Sequence, residues 1–94
     1  MKNKVTLNID KDIVSLAGYD FGKSIYCSQV KENININENF SIEIPSNVKF
    51  VASSFVQGFS SDIINEIGLL AAEERIHIIS ENTQLSKSFM NKLG

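Results

Sequence analysis

The chain has 94 residues, of which 43% are hydrophobic, with a formal charge of −2 and a pI near 5.3. A chain of this length buries about two-thirds of its unfolded surface, enough for one economical core and too little for a second. Its nine basic residues are scattered rather than clustered, which argues against a surface for nucleic acid.

The first element in chain order is "KVTLNI", residues 4–9, where Val5, Leu7 and Ile9 alternate with polar side chains. A period of two predicts a half-buried strand. No later segment clearly covers this outer strand, so it is expected to leave an open edge and to support a monomer or a weak homodimer. "DKD" breaks the pattern, and "IVSLAG", residues 13–18, reads equally as a short partner strand or as a loop leading into a helix, so whether residues 12–17 form a strand is left open. From Tyr19 the spacing becomes helical: Phe21, Ile25, Tyr26, Val30 and Ile34 predict a helix over about 19–33. Gly18 is expected to turn the chain into that helix, and Gly22 to let it pack closely. The asparagines of "NININEN" favour turns. "FSIEIP" places Phe40, Ile42 and Ile44 on one face of a second strand, and Pro45 ends its pairing.

The segment "VKFVASSFVQGFSSDIINEIG" carries the strongest helical pattern. Phe55, Phe59, Ile63 and Ile67 stand four apart and predict a core-facing helix over 53–67, stopped by Gly68. "LLAAEE" is ambiguous, whereas "RIHIIS" reads as a short buried strand. Asn82 or Thr83 is expected to cap a last helix whose apolar side holds Leu85, Phe89, Met90 and Leu93. Strands separated by helices imply crossovers, so the expected fold is a small α/β domain spanning 1–94, with a mostly parallel sheet of about four strands and about three helices.

Few residues offer chemistry. One histidine and one cysteine give no zinc constellation, and Asp10, Asp12 and Asp20 read as solvated turn residues, so no metal or cofactor is expected. Cys27 excludes an internal disulfide and reads as a buried small hydrophobe within the first helix. "GYDFG" lacks the glycine fingerprint and the lysine–hydroxyl pair of phosphate-binding loops. An enzyme built on Ser53 or Ser54 would need His77 as its base, and "IHII" more naturally seats that histidine in or beside the sheet. The expectation is a protein that is not an enzyme. A serine at a helix start accepts a hydrogen bond from a free N–H, so one of the pair is expected to cap the helix. The other, with Gln57, is a candidate for binding a partner, because helix starts at the carboxyl ends of parallel strands are where open α/β sheets place their binding surfaces. No amino-terminal apolar run resembles a signal peptide and no run reaches the roughly 18 residues needed to cross a membrane, so the expected setting is cytoplasmic, without membrane partners. The bias to Asn, Ile, Lys and Ser suggests an AT-rich bacterial, plasmid or phage genome.

"FSIEIPSNVKFVASSFVQGFSSDII" resembles the STAS-like domain family of unknown function, with its apolar strand, short turn bearing a serine pair, and helix of aromatic and small residues. "GYDFGKSIY" is similar to the start of that family's first helix, and "IHIISEN" to its next strand and following asparagine. The related STAS domains include antagonists of bacterial anti-sigma factors, whose junction reads Asp-Ser-Ser-Gly and whose first serine is phosphorylated by a partner of the histidine-kinase-like ATPase fold. Ala52, Ser53, Ser54 and Phe55 stand at those positions here, so the serine pair is kept and the flanking Asp and Gly are not. The resemblance implies a regulatory protein-interaction module that docks a protein through Ser53, Ser54 and Gln57, with Ser53 as the phosphorylation candidate. A different reading of size, acidity and composition is a small phage or mobile-element protein that binds and blocks a host defence factor.

Overall fold

The computed structural model describes residues 3–93. Five short strands and four α-helices follow in the order β1 (Lys4–Thr6), β2 (Ser15–Leu16), α1 (Tyr19–Ile25), β3 (Phe40–Glu43), β4 (Phe50–Val51), α2 (Ser53–Ile67), α3 (Leu69–Arg75), β5 (Ile76–Ile79) and α4 (Thr83–Asn91). The fold is therefore α/β with parallel pairing throughout, but the pairing is divided between two sheets. One has the order β1-β3-β5, and the other joins β2 to β4. Pro45 accounts for the division. It has no N–H to donate, and after Ile44 donates to the carbonyl of Ile79 the chain turns away, with Val48 donating back to Pro45. It resumes as β4 beside β2, so the open question over residues 12–17 resolves as a two-residue strand.

β1 is shorter than the pattern over 4–9 predicts. Leu7 and Ile9 are buried as expected, but the main chain of Asn8 is held by a side chain instead of a strand. The Gln29 carboxamide accepts from its N–H (2.7 Å) and donates to its carbonyl (3.0 Å). Gln29 comes from a π-helical turn, Tyr26–Val30, that continues α1 and ends with the Lys31 N–H on the Tyr26 carbonyl. The expected helix over 19–33 is thus an α-helix followed by this wider turn. Cys27 lies in the turn and is exposed, a correction to its expected burial, with its Sγ 3.8 Å from a carboxylate oxygen of Asp62. Three and four residues after the exposed Ser24 and Lys23, Cys27 shares their solvent side of the helix, next to the buried Tyr26.

Helix α2 spans the predicted residues. Phe55, Val56, Phe59 and Ile63 are fully buried, and Ile67 packs at the margin of the same core. Gly68 adopts a positive φ of 84°, and α3 begins at the next residue, so the glycine is a joint between two helices and the ambiguous "LLAAEE" is helical. Asn82 caps α4, accepting from the N–H groups of Gln84 and Leu85. "RIHIIS" is a strand, but a half-buried one: Ile76 is buried whereas His77 and Ile79 are exposed. The cause is the architecture. The helices cover one face of the three-stranded sheet, where Phe40, Ile42, Ile44 and Ile76 join the core, while Lys4, Thr6, Ser41, Glu43, His77 and Ile79 occupy the other by alternation.

Phe59 ties the core together. Its ring stands 5.6 Å from Tyr26, 6.0 Å from Phe55 and 5.6 Å from Phe89, linking the first, second and last helical segments. Phe59→Ala is expected to cost roughly 3–5 kcal/mol, a large share of the stability of a small domain. Chemical denaturation would measure this, and an unchanged midpoint would remove Phe59 from the centre of the core.

Tyr26 adds a pH dependence. Burial, reinforced by the nearby Glu66 and Asp62 carboxylates and by Cys27, pushes its phenol up from 10.0 to about 12. A raised pKa means that the folded protein holds this proton more tightly than the unfolded chain. The resulting stabilisation is complete below pH 10 and is lost as pH rises toward about 12. In a Tyr19→Phe background, absorbance of the phenolate should show Tyr26 ionising near 12 in the native protein, and Tyr26→Phe should flatten the alkaline fall in melting temperature.

Candidate functional site

The two-residue strands of the second sheet each lead directly into a helix. β2 runs through Ala17 and Gly18 into α1, and β4 runs through Ala52 into α2. Because β2 and β4 are parallel neighbours, both helices start on the same side of the molecule, and Ala52 is held there by donating to the Leu16 carbonyl (2.8 Å). Gly18 makes the entry to α1 with a φ of 101°, a conformation that favours glycine.

The helices then meet through their backbones. A Cβ added at Gly22 would lie 2.1 Å from the Phe55 carbonyl oxygen, and one at Gly58 would lie 1.9 Å from that of Tyr19. Gly22 was legible as a packing glycine. Gly58 is its reciprocal partner, and its signal was its place in the apolar stripe of α2, between Phe55 and Phe59. An interior Gly→Ala change ordinarily favours a helix by roughly 1 kcal/mol. Here Gly58→Ala should instead lower the melting temperature, by about 4–8 °C for each kcal/mol lost. Thermal unfolding would check this, and a rise would show that the helices are not in backbone contact.

All three predicted site residues lie together at this end: Ser53, Ser54 and Gln57 are exposed on the first turns of α2. Neither serine is the cap that one of them was expected to be. The capping position belongs to Ala52, extended at φ −81° and ψ 153°, and α2 has no side-chain cap. The serines are its first two helical residues, one step too late to accept from the free N–H groups of the opening turn.

They differ in what they do instead. The Ser54 hydroxyl accepts a hydrogen bond from the Gly18 N–H at 3.0 Å and so fastens the start of α1 to the start of α2. No hydrogen bond within the described residues engages the hydroxyl of Ser53 or the carboxamide of Gln57. These two stand four residues apart, on one face of the helix. Their surroundings combine two exposed polar side chains with an uncapped helix start, which favours groups that accept hydrogen bonds or carry negative charge.

His77 does not join the serines. It lies on the exposed face of β5, in the other sheet from β4, beside a groove that it shares with Glu73 and Lys87. Among the described residues no three His, Cys, Asp or Glu side chains converge as a metal site would require. Asp10 instead accepts from the N–H of Asp12 across a local turn. No helix among the described residues is long and apolar enough to cross a membrane. The chain matches no protein-family profile, no curated protein sequence and no solved structure.

Proposed function

We propose that this chain is a non-enzymatic regulatory module that docks a protein partner through the strand–helix junction around Ser53, working in the cytoplasm. The observation that carries the reading is the unequal commitment of the two serines. Ser54 is spent on an internal bond to Gly18, whereas Ser53 presents an unengaged hydroxyl beside Gln57 at an uncapped helix start. A structural role accounts for Ser54 and leaves Ser53 without one. The resemblance of "VKFVASSF" to the STAS-like family supports the same assignment, and the partner it implies is an ATPase of the histidine-kinase-like fold.

A phosphate on Ser53 would meet free N–H groups and the positive end of the α2 dipole, so the fold would tolerate it. The added charge of about −1.5 to −2 would act on docking, through repulsion or a steric block. Substitution separates the roles. Ser53→Asp should keep the parent's circular dichroism and melting temperature but lose a partner recovered by affinity purification with the parent chain. Ser54→Ala should keep the partner but lose roughly 0.5–1.5 kcal/mol of stability, because the Gly18 N–H loses its acceptor. If Ser53→Asp and Ser54→Asp both fold and bind like the parent, the docking assignment fails.

A further inference from the structure

β4 does more than lead into α2. Strand alternation buries Val51 and turns Phe50 outward, where it is 55% exposed. The Lys92 ammonium, donating to the Ser88 hydroxyl, stands 5.7 Å from the centroid of that ring. Lys49 lies one residue before Phe50, its ammonium donating to the Ser46 carbonyl at 2.9 Å. Two lysines far apart in the sequence are thus brought to one open aromatic ring.

Lys49 and Phe50 form one wall of a groove of about 230 Å³ between β4 and α4. Asn82, Gln84 and Ser88 form the other, over a floor of buried Val51 and Leu85. No Asp or Glu lines it, although the chain as a whole carries a charge of −2. Among the described residues the ion pair formed is that of Lys4 with Glu43, and neither Lys49 nor Lys92 has a carboxylate partner. Each ammonium keeps donors beyond its one hydrogen bond. Asn82 uses its carboxamide oxygen to cap α4, and no hydrogen bond among the described residues engages its carboxamide nitrogen or the Gln84 carboxamide. The larger groove beside β5 is different in kind, because Glu73 and Lys87 both line it and offset each other.

We infer that the groove between β4 and α4 seats an acidic, partly apolar segment of the protein partner, with carboxylates on Lys49 and Lys92 and an apolar side chain on the Phe50 ring. Charge complementarity sets the sign: cations and spare donors with no carboxylate among them accept an anionic segment and reject a basic one. The open ring selects a peptide over a bare anion, since an aromatic side chain contributes to binding when it is covered. Two lysines are few against the many phosphate contacts on which nucleic-acid affinity depends. The inference rests on the docking reading of Ser53 and adds the partner's chemistry to it. Phe50 precedes Ser53 by three residues, within about 10 Å along the chain. A phosphate on Ser53 would therefore oppose an acidic segment by like-charge repulsion.

An NMR titration of the full chain, read at its backbone amides, tests this with a short end-capped peptide alternating glutamate and leucine. Shifts should gather at Phe50, Gln84 and Ser88, with a dissociation constant of about 1 mM or tighter. They should weaken as salt is raised. Lys49→Glu and Phe50→Ala, both at exposed positions that leave the core intact, should each weaken binding roughly tenfold. Lys87→Glu, in the other groove, should leave it unchanged, and glutamine in place of the peptide's glutamates should abolish it. The inference is overturned if those amides do not move, if the glutamine peptide binds as well, or if Lys49→Glu has no effect. Tighter binding of a single-stranded oligonucleotide at the same amides would also overturn it. The titration uses the unmodified chain, so it decides the groove even where partner binding by Ser53→Asp and Ser54→Asp removes the docking assignment.

Discussion

The structure depends on the crossing of α1 and α2, where two glycines let one backbone rest on the other. Gly22 faces the Phe55 carbonyl and Gly58 faces that of Tyr19, each at a distance no side chain would permit. Because the contact is between main chains, it sets the separation of the helices without depending on side-chain rotamers. The aromatic rings then fill the space on either side: Phe21 packs on Phe55, Tyr26 and Phe55 on Phe59, and Phe59 on Phe89 of α4. Widening the crossing would part Phe21 from Phe55 and Tyr26 from Phe59. It would also separate Gly18 from the Ser54 hydroxyl.

That dependence explains the division between the serines. Once the helices are pinned at Gly22 and Gly58, the turn at Gly18 lies within 3.0 Å of Ser54, and the Gly18 N–H needs an acceptor. Ser54 supplies it, so it is part of the frame. Ser53 precedes it by one residue, and the roughly 100° rotation per residue of an α-helix aims its side chain elsewhere. Adjacent residues of the same type are thereby given different chemistry by a helix crossing pinned at Gly22 and at Gly58, the latter four to five residues further along the same helix.

Much of the fold was legible because the apolar spacing in α2, β3 and α4 agrees with their local preferences, and Asn82 announces its helix by its capping chemistry. The parts that were not legible depend on tertiary partners. The end of β1 is set by Gln29, a residue 21 positions distant whose carboxamide does the work of a strand. Gln29 is delivered by a π-helical turn, and no spacing rule anticipates a single widened turn. The position of the candidate site was readable, since Ser53, Ser54 and Gln57 do share one exposed helix start. The role of the serines was not, because α2 takes both of them into its first turn and leaves the capping position to Ala52.

The open face of the larger sheet follows from the same alternation that made its strands recognisable. Parallel strands covered on both faces read as continuous apolar runs, but "KVT" and "FSIE" alternate, and their polar positions meet one another across the sheet. The Glu43 carboxylate accepts from the Thr6 hydroxyl at 2.9 Å and stands opposite Lys4, so the β1 half of this face satisfies itself. The β5 half does not. Ile79 breaks the alternation with an exposed isoleucine beside Ile78, and no charged side chain of the strand itself guards it. An apolar residue kept on the solvent side of an edge strand raises the risk of unwanted pairing. In a chain whose opposite edge bears a lysine and a side-chain substitute for a strand, that exception makes β5 the less guarded of the two edges.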